Sequence, residues 1–280
     1  MQPSLDWISA LSRCKDENIP GVLVTVLGVQ GSSPRDAGTK MLITEHEQHD
    51  TIGGGNLEYQ CLLKAREFLQ SGQHSPVIER FNLAASLGMC CGGVVMVLFE
   101  PLQLAQPIVI FGAGHVASAL VSILKALPYD IRWVDERDGI FAEESTAASV
   151  GRVRYMQEDP LQVAVSAPAQ ARFLILTHDH QLDFDICLQL LKRESMPAFV
   201  GLIGSSEKWR RFQQRFEARG ITEERVSQIH CPLGMPIGGK RPMEVAVSIA
   251  AQQIQLDQTA SAYTADVTPL NWQAARALQA

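Results

Sequence analysis

The 280-residue chain has no Cys-x-x-Cys pair; its six cysteines, Cys14, Cys61, Cys90, Cys91, Cys187 and Cys231, are scattered. A zinc-finger-type site needs ligands paired at short spacing, so the pattern argues against one. Scattered cysteines in a large cytosolic chain stay mostly reduced. No apolar run approaches the ~20 residues that cross a bilayer, so no membrane association is expected. The chain does not open on a basic stretch followed by an apolar one, so no secretion signal is read and a cytoplasmic protein is expected. Basic residues are outnumbered, 24 Lys and Arg against 30 Asp and Glu, and a net charge of −6 speaks against bulk nucleic-acid binding. No residue set forms a clear nucleophile–base–orienter triad, which favours a carrier over an enzyme. With 46% apolar and 19% charged residues the chain is globular, with room for one large or two ordinary domains.

What is present is organised around Pro107 to Leu120. Ile108 to Phe111 reads as a buried parallel strand, Gly112-Ala113-Gly114 as a tight turn, and His115 onward as a helix. In such a turn Gly112 provides the bend, Gly114 lets backbone approach a phosphate, and Ala117 stands where a third glycine meets the strand. The helix N-terminus adds unpaired N–H groups and a partial positive charge. Tyr129 to Val134 reads as the next strand, and Asp135 at its end falls 21 residues after Gly114, where an acid would hold ribose hydroxyls. An NAD(P)-dependent oxidoreductase is therefore one reading of this half.

The expected architecture is α/β: an N-terminal mixed α/β domain over 1–101, a Rossmann-like parallel-sheet domain over 107–256, and a tail over 257–280 in which Pro269 to Ala280 forms a further helix. In the first domain a helix over 4–18 is capped by Ser4, with Trp7, Ile8, Leu11 and Cys14 on one face. Strands are expected at 22–29, 40–44, 77–82 and 94–99, with a hairpin turn at 45–50 and a helix ending near Gln70. In the second, strands are expected at 108–111, 130–134, 152–155, 172–176 and 198–203. Helices are expected at 115–126, 182–193, 205–219 and 242–255. Alternating strand and helix is the pattern of a parallel sheet.

Five further stretches stand out. Gly53-Gly54-Gly55 directly precedes a helix, as an anion cradle would, or forms a hairpin turn. Cys90-Cys91-Gly92-Gly93 is a vicinal thiol pair before a double glycine; a bridge between neighbours would be strained, so the pair reads as a soft ligand or sulfur-handling site. Cys61, on the helix after the triple glycine, reads as core or as a third thiol of that pocket. Thr177 to Asp185 crowds two His and three Asp into nine residues; no metallo-hydrolase spacing fits, and His178 and Asp179 read as crevice lining or helix capping at a strand end. Ser205-Ser206-Glu207-Lys208 contains Ser-x-x-Lys without its usual partner motifs, so Ser205 reads as an N-cap. The helix it starts carries Trp209, Phe212 and Phe216 on one face and a basic stripe of Lys208, Arg211, Arg215 and Arg219 on another. Cys231 to Pro242 is a glycine- and proline-rich loop before the last helix, which reads either as closing over the crevice or as a rigid connector.

Together these segments resemble the xanthine dehydrogenase accessory protein family of XdhC/CoxI type. The matching pieces are Gly31 to Arg35 with Gly38, Thr51 to Glu58, Leu87 to Gly93, Ile110 to His115, Val134-Asp135, Thr177 to Asp179, Gly201 to Lys208 and Pro232 to Ala251. The resemblance implies a chaperone of the molybdenum cofactor that binds molybdopterin, holds it while a cysteine desulfurase adds the terminal sulfido ligand, and passes it to the molybdenum subunit of xanthine dehydrogenase. Expected contacts are Gly53, Gly54, Gly55, Cys90, Cys91, Gly112, Gly114, His115, Asp135, His178, Asp179, Ser205 and Lys208. Cys90, Cys91 or Cys61 would supply a thiolate to the cofactor's molybdenum, with no separate metal site. A homodimer is expected.

Overall fold

The computed structural model describes residues 6–72, 75–83, 93–141 and 153–263, with side chains through 259. The chain divides into two compact units, Met1–Leu104 with Thr259–Ala280, and Ala105–Gln258.

The first unit contains α1 (Trp7–Glu17), β1 (Gly21–Gln30), β2 (Lys40–Thr44), β3 (Gln48–His49), α2 (Gly55–Ser71), β4 (Val77–Asn82) and β5 (Val94–Pro101). The strands form one antiparallel sheet in the order β3-β2-β1-β5-β4. Alternation along each strand gives the sheet two apolar faces. Val22, Val24, Val26, Met41, Ile43, Val97 and Phe99 pack with Leu57, Cys61, Ala65 and Phe68 of α2. Leu23 and Leu42 turn the other way, onto Ala10 and Cys14 of α1. The cap of α1 is Asp6, whose carboxylate accepts from the N–H groups of Ile8 and Ser9 at 2.9 Å each, whereas Ser4 lies outside the described residues. Ile8, expected on the buried face, is 62% exposed. Two residues from Ala10 is about 200° around a helix, so burying Ala10 and Cys14 turns Ile8 outward.

The second unit comprises β6 (Gln106–Phe111), α3 (His115–Leu124), β7 (Tyr129–Val134), β8 (Val153–Met156), α4 (Pro160–Ser166), β9 (Arg172–Ile175), α5 (His180–Leu191), β10 (Phe199–Leu202), α6 (Ser206–Glu217), α7 (Glu223–Val226), β11 (Ile229–His230) and, as far as Gln258, α8 (Pro242–Tyr263). Its six strands are all parallel, in the order β11-β10-β9-β6-β7-β8. That is a Rossmann-like doubly wound sheet, and both faces are covered, which is why its strands read as unbroken apolar runs. Val109, Phe111, Phe173 and Ile175 face α4, α5 and α6, while Ile108, Ile110, Leu174 and Trp133 face α3 and α8.

Several boundaries differ from the sequence expectation. The helix α8 continues past Gln255 to Tyr263, since no glycine or proline interrupts it after Pro242. Helix α5 begins at His180 because Asp179 caps it. The short elements β3, α4, α7 and β11 are additions. The expected helix over 269–280 lies outside the described residues. Among the described residues no helix is long and apolar enough to cross a membrane.

Candidate functional site

Strand β6 lies between β7 and β9, so the winding reverses at its C-terminal end, the place where open parallel sheets hold ligands. A cleft there is lined by Gly112, Asp135, Glu136, Arg137, Pro160, Thr177, His178 and Leu182. Gly112 has φ +97°, and a Cβ on it would stand 2.5 Å from the Leu176 carbonyl oxygen, so both the turn and its approach to the end of β9 require glycine. Its N–H donates to the Val134 carbonyl at 2.8 Å, and the Trp133 indole N–H donates to its carbonyl at 2.9 Å. Gly114 differs: its backbone is extended, and a Cβ there would meet nothing within 4 Å. It opens α3 without a side-chain cap, leaving His115 exposed at the first helical position.

Asp135 is 5% exposed and lies inside the turn. One carboxylate oxygen accepts from the Ala113 N–H at 2.7 Å and from Arg137 Nη2 at 2.7 Å. The other accepts from the Arg137 N–H at 3.1 Å and from Arg137 Nε at 2.8 Å. Burial acts to raise its pKa, but the hydrogen bonds from Arg137 and Ala113 outweigh burial and hold the carboxyl below its usual range. The acid expected to read a ribose thus binds its own chain.

The opposite wall is fixed from beneath. Asp183 is fully buried; it accepts from the Thr177 hydroxyl at 2.6 Å and the Thr177 N–H at 3.2 Å. Lys208 Nζ donates to its other oxygen at 2.5 Å and to the Ile203 carbonyl at 2.9 Å. Lys208, an expected cargo contact, is therefore an internal counter-ion. Ser205 is the N-cap of α6, accepting from the Lys208 N–H at 3.3 Å. Asp179 caps α5 by accepting from the Gln181 and Leu182 N–H groups at 2.6 and 3.4 Å. His178 remains exposed on the cleft wall. In the basic stripe, the Arg215 and Arg219 guanidinium groups lie over the Phe184 ring at 3.7 and 4.8 Å, and the exposed Arg211 pairs with Glu207.

In the first unit, the Gly31–Gly38 loop touches two of the other glycine stretches. A Cβ on Gly53 would stand 2.7 Å from Pro34, and one on Gly93 would stand 2.3 Å from the Ser32 carbonyl oxygen. Gly53, Gly54 and Gly55 all have positive φ, +118°, +73° and +67°. The resulting cradle is already filled by Glu58, which accepts from the Ile52 and Gly54 N–H groups at 3.0 Å each, from Gln48 Nε2 at 2.9 Å and from the Thr51 hydroxyl. Burial raises the Glu58 pKa, yet these hydrogen bonds prevail and hold it below the usual range. Arg35 is exposed beside this loop with no ion pair among the described residues. Cys90 and Cys91 lie outside the described residues. Cys61 is a core side chain with no exposure, its thiol pushed up to about 12 by burial, which is the core reading of this residue. Among the described residues no group of three or more His, Cys, Asp or Glu is placed to hold a metal ion.

The chain is thus a two-unit protein whose second unit carries a Rossmann-like parallel sheet with a crevice at the point where its strand order reverses. Residues 108–253 match the XdhC Rossmann domain and residues 14–82 match the XdhC and CoxI family. The chain belongs to that family. It is 25% identical over 254 residues to the uncharacterized protein YqeB of Escherichia coli K12, covering 89% of this chain and 46% of that one. The chain thus spans about half the length of that relative. It is 21% identical over 261 residues to the molybdenum cofactor insertion chaperone PaoD of the same organism, covering 82% of this chain and 81% of that one. A crystal structure from Bacillus halodurans, described as a xanthine dehydrogenase, shares 20% identity at TM-score 0.47 over 91% of this chain and 96% of that one.

Proposed function

We propose that the chain is a molybdenum cofactor chaperone that holds molybdopterin during sulfuration by a cysteine desulfurase and delivers it to the molybdenum subunit of xanthine dehydrogenase, acting as a cytoplasmic homodimer. The observation that carries this reading is the similarity to the insertion chaperone, which takes in most of both chains and therefore both units. The geometry is compatible with such a cargo. Gly114 leaves open space where a cofactor phosphate would meet the uncapped N-terminus of α3, His115 is exposed at the first helical position, and His178 is exposed on the cleft wall. In the first unit Gly93 packs against the Gly31 loop. The thiolates of Cys90 and Cys91, which lie outside the described residues, would suit a molybdenum–dithiolene centre as soft ligands. In this reading Asp135 and Lys208 are engaged within the fold, and the exposed Asp179 and Ser205 cap helices α5 and α6.

The test is to purify the chain from cells that make the cofactor, and to measure molybdenum by mass spectrometry and pterin by fluorescence of its oxidised form. The wild-type protein should carry both and should accelerate activation of apo-xanthine dehydrogenase. Gly114→Val, Cys90→Ser and Cys91→Ser should each lower pterin content about tenfold or more, with native circular dichroism. A wild-type protein free of pterin that leaves apoenzyme activation unchanged would sink the proposal.

A further inference from the structure

The glycine turn at β6 carries every sequence mark of a dinucleotide site, including an acid at the end of β7, yet that acid has no acceptor left. A carboxylate offers about four lone-pair positions. All four on Asp135 are used: Ala113 N–H and Arg137 Nη2 on one oxygen, Arg137 N–H and Arg137 Nε on the other. Reading a ribose requires that the acid accept from the 2′- and 3′-hydroxyls. A hydroxyl would first have to displace a charge-assisted fork from an arginine only two residues away in the chain, and such bidentate pairs are among the stronger hydrogen bonds. Both residues line the cleft, and the Arg137 side chain is 41% exposed while that of Asp135 is 6%, so of the pair it is mainly the guanidinium that meets solvent. A 2′-phosphate fares no better. The guanidinium it would seek already faces Asp135, whose negative charge would lie next to the phosphate.

We infer that Asp135 and Arg137 form an internal lock that closes this crevice to nicotinamide dinucleotides, with Arg137 as the residue that determines the exclusion. Asp135 then acts as a positioning residue for the Gly112–Gly114 turn. Truncating Arg137 to alanine keeps the residue-137 N–H bond and the Ala113 bond but opens one position on each carboxylate oxygen, the number a vicinal diol uses.

The experiment titrates NADH, followed by its fluorescence and by calorimetry, into the full-length wild type, Arg137→Ala, Arg137→Met and the double variant Asp135→Asn/Arg137→Ala. NADPH is titrated into the wild type. Circular dichroism and melting accompany each variant, and the methionine variant keeps the apolar stem should alanine disturb the loop. The expected result is no saturation of the wild type by either dinucleotide up to about 1 mM, with NADH binding at least about tenfold tighter in a single variant and lost again in the double variant. Saturable binding of NADH or NADPH to the wild type overturns the lock. So does a pair of folded single variants that bind NADH no better than the wild type. Neither outcome depends on whether the protein carries molybdenum cofactor.

Discussion

Replacing Lys208 by methionine should destabilise the unit Ala105–Gln258 by about 3–5 kcal/mol, because it leaves Asp183 charged and unpaired in a fully buried position. The Asp183 side chain has 0% exposure and that of Lys208 10%, so neither charge recovers water when the other is lost. Methionine keeps the stem of Lys208 and deletes only the ammonium that donates to Asp183 and to the Ile203 carbonyl. For a unit of this size each kcal/mol lowers Tm by about 2–4 °C, giving a fall of roughly 6–20 °C. Asp183→Asn should cost a similar amount, since the Lys208 ammonium would then be the orphan. The double variant Lys208→Met/Asp183→Asn removes both charges and should regain a large part of the loss. Urea unfolding followed by tryptophan emission gives the cycle, with Trp133 and Trp209 both in this unit. A cost below about 1 kcal/mol for Lys208→Met, with no coupling to Asp183, would refute the buried pair and return Lys208 to the cargo site that the family resemblance implies.

Gly112→Ala should destabilise the same unit by at least about 2 kcal/mol, from the positive φ and the collision with Leu176, while Gly114→Val stays within about 0.5 kcal/mol of wild type in urea unfolding; equal costs would contradict the division between a folding and a binding glycine. The Glu58 carboxyl lies below its ordinary 4.5, so its contribution is present above that pH and is lost as pH falls through the lower folded value. Acid titration followed by circular dichroism should show the first unit of Glu58→Gln less dependent on pH below about 4.5 and about 1–2 kcal/mol weaker near neutrality; superimposed profiles would exclude this role. With its thiol pushed up to about 12, Cys61 should resist iodoacetamide in the native state and react once urea unfolds the protein, with mass-spectrometric mapping of the label as the readout; rapid native labelling would contradict its core placement.

The fold was legible wherever local pattern and global packing demand the same residues. Ile108 to Phe111 is apolar throughout because both faces of β6 are covered, and that run, followed by Gly112, announces a parallel strand and its turn. Short elements escape because their stability comes from tertiary contact. Helix α4 spans seven residues, too few for a periodic signal, although Asp159 followed by Pro160 is a cap and first-turn pair that marks its start. Ile8 was misplaced because four apolar residues in one helix fit more than one face, and only the sheet selects Ala10 and Cys14.

Legibility of the candidate site fails for a single physical reason. A polar residue's type shows in the sequence, but its partner does not. Asp135 reaches Ala113 across 22 residues, Lys208 reaches Asp183 across 25, and Glu58 folds back onto the loop just before it. Buried polar groups must be paired, so the more firmly a candidate is built into the fold, the less of it remains for a ligand. Under the proposed function, the residues left for cargo are those the fold does not consume: Gly114, whose missing side chain touches nothing, the exposed His115 beside it, and the exposed His178 on the cleft wall. The consumed ones are the paired Asp135, Asp183 and Lys208, and Asp179 and Ser205, which cap helices α5 and α6. Variants of the second group should therefore lose stability and cargo together, whereas variants of the first should lose cargo alone.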